Sequence, residues 1–544
     1  MPSSEAAPAA GSSMITASSV ATLWDLVARR AALTPDAPLL LADPPSGAAS
    51  GSAAGSVRLT CADLATRAER VAAGLFAQGV GPGTRVCWQL PTRVETVVLS
   101  MALARLGAVQ VPIIHIYRER EVSVALHQTG ARLFCVPGVW RGTDYRALAA
   151  AATRDLADPP RLLVVGAGAG AGDGLPEGDP STLPPPPTDG EEIRWIYYTS
   201  GTTSQPKGVR HRDSSLIAAG VGLALALAAR PDDVGSIAFP VAHIGGPDYL
   251  AMMLAVGFPA LLLEAFVPAD AIDAFRRHGV TIAGGSTAFY SALLAAQRAL
   301  PAPAGPLVPT LRMLAGGGAP KPPELFTDVR REMGIPIAHG YGMTEVPMIT
   351  QGSPADSDDA LMYSEGAPLP GVEVRVVTAD GAVAPAGVEG EVRVHGATVC
   401  AGYTDDEATA AAFDEDGWFR TGDLGFLRPD GHVTLTGRLK DVIIRKGENV
   451  SAKEVEDLLY QHPKVVAVAV VGLPDAERGE LVCAVVEPAP GAAPPTLAEL
   501  AAFLRGAGLM TQKIPERLEI LDALPRNATL KILKHELRAR FGGR

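Results

Sequence analysis

The sequence is poor in cysteine, and its cysteines do not have the spacing of a redox or metal site. There are five, Cys61, Cys87, Cys135, Cys400 and Cys483, and no two of them form a Cys-x-x-Cys pair. An odd, scattered set argues against both a disulfide framework and a zinc site. The first residues, Met1–Ser19, also lack the basic region that begins a signal peptide. We therefore expect a disordered lead-in over residues 1–19 and a cytoplasmic protein.

An excess of positive charge and long apolar runs are also missing. The chain has 47 basic and 59 acidic residues, a net charge of −12. A nucleic-acid partner needs a basic surface, so the sequence predicts none. The longest apolar stretches, 216–229 and 251–263, are shorter than the roughly 20 residues of a membrane-spanning helix. We expect no membrane span.

What the sequence does contain is a regular alternation of helix and strand patterns. Its 544 residues predict at least two domains. Helical spacing over 61–78, 94–106 and 119–129 alternates with β-rich runs at 85–89, 108–112 and 132–136, which indicates layered α/β sheets. Residues 372–437 predict a small antiparallel β unit, and the last hundred or so residues predict a separate α+β domain. The predicted fold class is α/β, with a large N-terminal domain and a smaller C-terminal one.

A glycine- and hydroxyl-rich stretch, Ile196–Val209, has the composition of a phosphate-binding loop. A β-rich run enters it and a shorter run leaves it, which predicts strand, loop and strand. Small residues let backbone N–H groups reach phosphate, hydroxyls add donors, and a lysine adds charge. The candidate residues are Thr199, Ser200, Gly201, Thr202, Thr203 and Lys207. Pro206 and Gly208 flank the lysine, so this is not the Walker motif, and another group must hold the metal.

Two further clusters follow predicted strands. Gly316, Gly317, Gly318, Ala319 and Pro320 form either a nucleotide floor or a tight turn, and the residues favour neither. The second cluster is His339, Gly340, Tyr341, Gly342, Met343, Thr344 and Glu345. Tyr341 offers an aromatic face for a base, and Glu345 is a carboxylate of the kind that magnesium prefers. The second cluster therefore supplies a candidate metal ligand.

Together with Gly417–Gly425, Gly437–Val450 and Leu524–Lys534, these motifs resemble the adenylate-forming superfamily over about Thr22–Leu537. That superfamily includes acyl-CoA synthetases, peptide-synthetase adenylation domains and beetle luciferases. The resemblance implies that Asp423 and Arg438 bind the ribose and that Lys531 is the catalytic lysine. It also implies a mobile C-terminal domain over 440–544, with a hinge at Lys440 after an N-terminal domain of residues 20–439. The residues implied to approach coenzyme A are Lys446, Gly447 and Glu448.

The implied activity is an acid–thiol ligation that uses ATP, Mg²⁺ and coenzyme A. A carboxylate first attacks the α-phosphate of ATP, and the thiol of coenzyme A then attacks the acyl-adenylate. The implied partners are a small carboxylic acid, ATP or AMP, and coenzyme A. A homodimer and a partner adenylating enzyme are left open. Transfer to a carrier protein and a non-catalytic nucleotide-binding role are the competing hypotheses.

The resemblance also implies an acyl pocket lined by His243, Gly245, Gly246, Gly284, Gly285, Ser286, Gly316 and Met343. Many positions in this region are small, including Gly342. Small walls predict a bulky, apolar acid. The runs Ile116–Glu121 and Val139–Tyr145 resemble cyclohexanecarboxylate-CoA ligase, which indicates an alicyclic ring. Against this, glycine is common throughout the chain, and Asp248 is a charge that an apolar pocket does not need.

Two positions depart from the superfamily pattern. Ser204 and Leu530 stand where the superfamily usually has glycine. Glycine readily adopts a positive φ, whereas leucine does so only with strain. A displaced Lys531 would slow adenylation more than thioester formation. The sequence therefore leaves open an enzyme that only forms the thioester from a preformed acyl-adenylate, as well as a backbone that tolerates leucine in a helical or extended conformation.

Overall fold

The structure is a computed structural model that describes residues 14–43, 56–166, 174–199, 206–301, 305–445, 448–475, 478–491, 493–527 and 530–542. The chain divides into two compact units. The first contains Met1–Thr199, Gln205–Ala283 and Cys400–Thr404, and the second contains Ser200–Ser204, Gly284–Val399 and Asp405–Arg544. The sequence-predicted boundary at 439/440 does not coincide with this division, and it stays a prediction.

The first unit contains eight helices and twelve strands within the described residues. Its helices are α1 Leu23–Leu33, α2 Cys61–Ala77, α3 Val94–Leu106, α4 Glu119–Thr129, α5 Tyr145–Ala152, α6 Asp213–Ala226, α7 Gly245–Val256 and α8 Pro268–His278. Its strands are β1 Pro38–Ala42, β2 Val57–Thr60, β3 Arg85–Trp88, β4 Val109–Pro112, β5 Leu133–Val136, β6 Val139–Trp140, β7 Thr143–Asp144, β8 Arg161–Val164, β9 Ile193–Thr199, β10 Lys207–Arg212, β11 Gly235–Ile237 and β12 Ala260–Leu262.

Two larger sheets organise the first unit. One has the strand order β10-β9-β4-β3-β5-β8, and the other has the order β11-β12-β1-β2. In the six-stranded sheet, β4, β3, β5 and β8 run parallel, which requires the helical connections that the alternating sequence pattern predicted. The parallel strands β4 and β5 are buried along their whole length, as expected for strands covered on both faces. The predicted α/β layering is confirmed.

The second unit contains helices α9 Thr287–Arg298, α10 Pro323–Met333, α11 Asp358–Tyr363, α12 Asp406–Ala412, α13 Ala452–Leu459, α14 Leu497–Gly506 and α15 Lys534–Phe541. Its strands are β13 Ile282–Gly285, which begins in the first unit, β14 Met313–Gly317, β15 Ile337–Tyr341, β16 Thr350–Gln351, β17 Ala367–Pro368, β18 Val372–Val377, β19 Gly390–Gly396, β20 Phe419–Leu427, β21 Val433–Arg438, β22 Val442–Arg445, β23 Glu448–Ser451, β24 Val465–Asp475, β25 Gly479–Pro488 and β26 Arg517–Ile520.

Three sheets organise the second unit. One has the order β13-β14-β15-β16-β17, and a second, antiparallel sheet has the order β18-β19-β20-β21. The third has the order β23-β22-β25-β24, with β26 paired to β25. The antiparallel sheet is the β unit predicted for residues 372–437. The third sheet and the last three helices form the predicted C-terminal α+β domain. Lys440 lies between β21 and β22 in a short 3₁₀ helix, Leu439–Asp441.

Two sequence expectations concern features outside these sheets. The lead-in was expected to extend to Ser19, and residues 1–13 lie outside the described residues. Residues 14–19 differ from the expectation, because Ile15 is buried and its N–H donates to the carbonyl of Ala255 at 2.8 Å. All five cysteines are buried and none forms a disulfide. Within the described ranges, no helix combines the length and apolarity needed to cross a membrane.

Candidate functional site

The predicted phosphate loop is held at both ends by β9 and β10. Thr199, the last residue of β9, pairs with Lys207, the first residue of β10, so the predicted strand, loop and strand are confirmed. On its other side β10 is fixed by residues 400–404, because the N–H of Thr404 donates to the carbonyl of Gly208 at 2.7 Å. The ammonium of Lys207 lies 5.2 Å from the ring centre of Tyr403. The loop residues Ser200, Gly201, Thr202, Thr203 and Ser204 lie outside the described residues.

A buried carboxylate in the second unit joins two of the predicted nucleotide-binding side chains. Asp423 on β20 pairs in register with Arg438 on β21. One of its oxygens accepts from the hydroxyl of Tyr341 at 2.6 Å, and the other accepts from Nε of Arg438 at 2.8 Å. Each carboxylate oxygen has a second lone pair, so Asp423 still has acceptor capacity for two ribose hydroxyls. The structure thus brings Tyr341, Asp423 and Arg438 together, although they are widely separated in sequence.

His339 connects the two glycine-containing clusters. Its Nε2 lies 2.9 Å from the carbonyl of Ala319, and its Nδ1 lies 3.4 Å from the hydroxyl of Tyr290. Burial lowers the pKa of His339 to about 3, so the ring is neutral, donates from Nε2 and accepts at Nδ1. Beside it, a Cβ on Gly317 would lie 2.3 Å from the carbonyl oxygen of Gly340. The predicted nucleotide-binding His339 therefore uses its ring to hold the glycine cluster against β15, and that cluster is closely packed backbone.

Lys531 lies in a short hairpin in which Arg526 pairs with Ile532, and the charges of the residues predicted to bind the ribose reach it. The N–H of Asn527 donates to the carbonyl of Lys531, and the N–H of Lys531 donates to Oδ1 of Asn527, both at 2.9 Å. Burial, together with the positive charges of Arg438 and Lys440, lowers the pKa of Lys531 to about 7, against the opposing charges of Asp423 and Asp441. The lysine is therefore within the electrostatic field of the carboxylate predicted to bind the ribose.

Leu530 has φ of 63° in this hairpin, the left-handed region that favours glycine. The N–H of Leu530 donates to the carbonyl of Asn527 at 2.9 Å, and residues 528–529 lie outside the described residues. Short hairpin loops commonly place a left-handed residue at the end of the turn, and glycine is preferred there because it has no Cβ. The left-handed conformation costs leucine about 1–2 kcal/mol. The structure therefore shows the positive φ, and not the helical or extended alternative.

The predicted metal ligand follows β15 in a tight turn. Met343 and Val346 exchange backbone hydrogen bonds at 2.9 and 3.2 Å, and Thr344 and Glu345 occupy the two positions between them. Across the described ranges, no three His, Cys, Asp or Glu side chains are grouped to hold a metal ion. One carboxylate and one hydroxyl suit Mg²⁺, which prefers oxygen ligands and keeps several waters or phosphate oxygens in its shell. The donor set fits a magnesium ion held jointly with a nucleotide.

The glycines of the predicted acyl pocket are explained by close backbone packing. A Cβ on Gly246 would lie 2.0 Å from the carbonyl oxygen of Val241, and the corresponding clash distance is 2.2 Å at Gly284, 1.9 Å at Gly316 and 2.1 Å at Gly342. Gly245 differs, since its Cβ would meet nothing closer than 3.6 Å. Glycine at these four positions is required by the backbone packing and therefore does not indicate an open pocket. The pocket assignment stays a prediction.

Some residues of the site escaped the sequence reasoning. Asp441 raises the pKa of Lys531 and forms an ion pair with Arg538 at 2.7 Å. Tyr290 reaches the ring of His339 from α9. The position of Asp441 directly after the hinge lysine was a usable signal, whereas nothing near Tyr290 in the sequence marks it. Of the residues predicted to approach coenzyme A, Lys446 and Gly447 lie outside the described residues, and Glu448 is described in its backbone only.

Comparison with known proteins defines the class. Residues 27–404 match the family of AMP-binding enzymes, and residues 454–531 match the AMP-binding enzyme C-terminal domain. The chain is 33% identical over 514 residues to a salicyl-AMP ligase / salicyl-S-ArCP synthetase of Mycobacterium tuberculosis, covering 90% of this chain and 87% of that one. It is 32% identical over 474 residues to the medium-chain fatty-acid–CoA ligase of Escherichia coli, covering 85% and 82%.

The solved structure of ATP-bound MatB from Rhodopseudomonas palustris superposes with a TM-score of 0.83 at 29% identity, covering 95% of this chain and 99% of that one. The chain therefore belongs to the AMP-binding, adenylate-forming enzymes and is an AMP-forming acid–thiol ligase. Acyl-CoA ligases of this family use ATP, Mg²⁺ and coenzyme A. These findings confirm the family and the cofactors that the motifs implied, and leave the acid unassigned.

Proposed function

We propose that the enzyme converts a bulky, ring-bearing carboxylic acid to its coenzyme A thioester through an acyl-adenylate. The observation that carries the adenylation chemistry is the buried Asp423 held between Tyr341 and Arg438, with the charge of Lys531 coupled to it. A cation at that position, beside the carboxylate predicted to bind the ribose, can offset the charge that develops on the α-phosphate.

In the first half-reaction, a carboxylate oxygen of the acid attacks the α-phosphorus, and the bond from phosphorus to the bridging oxygen breaks to release pyrophosphate. Tyr341, Asp423 and Arg438 would orient the nucleoside, and Lys207 and Lys531 would stabilise the phosphoryl charge. Glu345, with Thr344, would hold magnesium, which neutralises phosphate charge when bound. The positioned cations lower the barrier because they need no reorganisation as charge develops.

In the second half-reaction, the sulfur of coenzyme A attacks the acyl carbonyl carbon, and the bond from that carbon to the AMP oxygen breaks. AMP leaves with its electron pair, and the thiol proton passes to solvent. Carboxylates are poor acylating agents, and the adenylate supplies the leaving group that the thioester needs. Lys531 is not required at this stage, so the two half-reactions should depend on it differently.

The test is a pyrophosphate-release assay over a panel of carboxylic acids, with coenzyme A consumption followed in the same reactions. We expect both products with at least one ring-bearing acid and neither product without ATP. Coenzyme A and a purified carrier protein are offered side by side, because one relative carries the printed name salicyl-S-ArCP synthetase. Thioester on coenzyme A supports the proposal. Thioester on the carrier alone, or no product from any acid, contradicts it.

Leu530 supports a second candidate, an enzyme that only forms thioesters from a preformed acyl-adenylate. The left-handed conformation costs Leu530 about 1–2 kcal/mol. This cost is smaller than the transition-state stabilisation that would be lost with a catalytic cation. We therefore favour the complete ligase. Synthetic acyl-AMP with coenzyme A is compared with free acid, ATP and coenzyme A. Turnover from acyl-AMP alone would establish the second candidate, and comparable rates would remove it.

A further inference from the structure

Asp248, in the first turn of α7, is a buried carboxyl without a hydrogen-bond partner. It is 1% exposed, and neither carboxyl oxygen has a partner among the described residues. Burial raises the pKa of Asp248 well above its ordinary value. An unpaired buried polar group is costly and uncommon in folded proteins, so it needs an explanation.

A second carboxyl in the same unit shows what a structural aspartate looks like. Asp213, at the start of α6, is 2% exposed. One of its oxygens accepts from the backbone N–H of Leu23 at 3.0 Å, and the other accepts from the indole N–H of Trp195 at 2.8 Å. The helices α6 and α7 pack closely, since a Cβ on Gly220 would lie 2.6 Å from the carbonyl oxygen of Asp248. Among the described residues, donors therefore reach the carboxyl of Asp213, and none reaches the carboxyl of Asp248.

Asp248 has an unpaired polar neighbour. The hydroxyl of Tyr197 on β9 is buried, has no partner in the described part of the chain, and is close enough for Asp248 to raise the pKa of its phenol further. Tyr197 lies two residues before Thr199, where the strand enters the phosphate loop. In the second unit, the hydroxyl of Ser286, a predicted pocket residue, is likewise buried and unpaired in the structure as described. These three unpaired groups, of Asp248, Tyr197 and Ser286, fall in segments predicted to serve the site.

We propose that Asp248 is a specificity-determining residue, and that the acid carries a hydrogen-bond donor, a hydroxyl or an amine, at the end remote from its carboxylate. This inference rests on the proposed function. A hydroxyl donates to the Asp248 carboxyl and accepts from the Tyr197 phenol, and an ammonium donates to both. Either group supplies the partner that Asp248 lacks among the described residues. An acid lacking it leaves the carboxyl unpaired, which is how a polar site rejects an apolar analogue.

The experiment uses matched acids: cyclohexanecarboxylic acid and its 4-hydroxy and 4-amino derivatives. We measure kcat/KM for thioester formation with the unmodified enzyme, Asp248→Leu and Asp248→Asn. We expect the unmodified enzyme to favour a derivative over the parent acid by about tenfold or more. Asp248→Leu should abolish or reverse that preference. The Asn variant should keep a preference for the hydroxyl derivative and lose one for the amine.

Thermal stability separates a specificity role of Asp248 from a structural one, because the two roles predict opposite changes in the midpoint of thermal unfolding. We expect Asp248→Leu to keep or raise the midpoint of thermal unfolding, because an unpaired carboxyl is removed. The control Asp213→Leu should lower the midpoint, because it leaves two donors unpaired. Lower stability in Asp248→Leu with unchanged substrate ratios would show that Asp248 has a partner such as buried water, and would overturn the inference. If Asp248→Leu does not fold, the ratios of kcat/KM between the matched acids in the unmodified enzyme and in Asp248→Asn still test the inference.

The outcomes separate this inference from the proposed function. Thioesters formed at equal kcat/KM from the parent and substituted acids would overturn the inference and leave the ligase activity standing. Absence of thioester and pyrophosphate with every acid would overturn the proposed function.

Discussion

Asp423 and Asp248 are two almost fully buried carboxyls with opposite surroundings. Asp423, 2% exposed, accepts hydrogen bonds from Tyr341 and Arg438, whereas Asp248, 1% exposed, has no partner among the described residues. We infer that the nucleotide-binding region is organised by the chain itself because its ligand is the same in every turnover. On the proposal above, the region predicted to bind the acyl group instead leaves polar groups whose partner would arrive with the acid. Preorganised dipoles raise the rate of the reaction because they stabilise the transition state. Unpaired polar groups instead favour acids that can pair with them over acids that cannot.

This comparison makes a specific claim about variants. A change in the nucleotide-binding region should alter the rate by the same factor for every acid. A change at Asp248 should instead alter the ratio between acids. Effects of variants and of pH in the nucleotide-binding region should each be measured with at least two acids.

Lys531→Ala should lower the rate of pyrophosphate release by about a thousandfold or more, because a cation that offsets phosphoryl charge is removed. The factor should be equal for all acids. Thioester formation from synthetic acyl-AMP should change little. Lys464→Ala is the control, since Lys464 pairs with the exposed Glu499 on the surface and surface pairs contribute about 0–1 kcal/mol. An equal loss in both half-reactions would contradict the assignment of Lys531 to adenylation.

Asp423→Ala should raise the KM for ATP by about 10- to 100-fold, as hydrogen bonds involving a charged group contribute about 1.5–3 kcal/mol. It also leaves Tyr341 and Arg438 without their acceptor, so the free energy of unfolding should fall by about 1–3 kcal/mol. The KM is measured by pyrophosphate release and stability by urea unfolding. A KM change confined to the acid would place Asp423 in the acyl-binding region and break the comparison.

Leu530→Gly should raise the rate of adenylation by up to about tenfold. The left-handed conformation that places Lys531 costs leucine about 1–2 kcal/mol and glycine little, so a larger fraction of molecules would hold the lysine in place. The matched control is Leu530→Ala, which retains a Cβ and therefore the strain. Both variants are compared by pyrophosphate release at saturating ATP. An equal gain in the alanine variant would show that the size of leucine, and not its φ, limits the rate.

The pH dependence of adenylation should reflect Lys531, whose pKa is lowered to about 7 by burial and by neighbouring cations. The ammonium is lost as the pH rises through that pKa. The kcat/KM for ATP should therefore be about half its acid-side value at pH 7 and fall about tenfold per pH unit well above it. The Lys531→Arg variant, which stays protonated, should have a flatter profile. A flat profile in the unmodified enzyme would contradict this prediction.

Sequence patterns predicted the elements that local rules decide. Residues 94–106 and 119–129 form helices at their predicted bounds, because apolar spacing and flanking turn residues specify them. The run into and out of the phosphate loop forms paired strands for the same reason. The positive φ of Leu530 was also foreseeable, because the superfamily pattern has glycine there and glycine marks such conformations.

The acyl-binding region was harder to predict because its features depend on tertiary contacts. A small residue in a sequence can border open space or a close backbone approach, and Gly284 and Gly316 turned out to be the latter. Asp213 and Asp248 are both aspartates in the first turn of an apolar helix, and nothing local distinguishes them. Only the packing around each shows that, among the described residues, donors reach the first and not the second.

The burial of all five cysteines has a consequence for an enzyme that makes a strong acylating agent. An acyl-adenylate reacts with any accessible thiolate, including one on the protein. Burial raises the pKa of Cys61, and raises that of Cys87 and of Cys483 to about 12, which keeps these thiols protonated at neutral pH. Buried, protonated thiols should resist acylation by the intermediate, which would then be reserved for the thiol that arrives from solution.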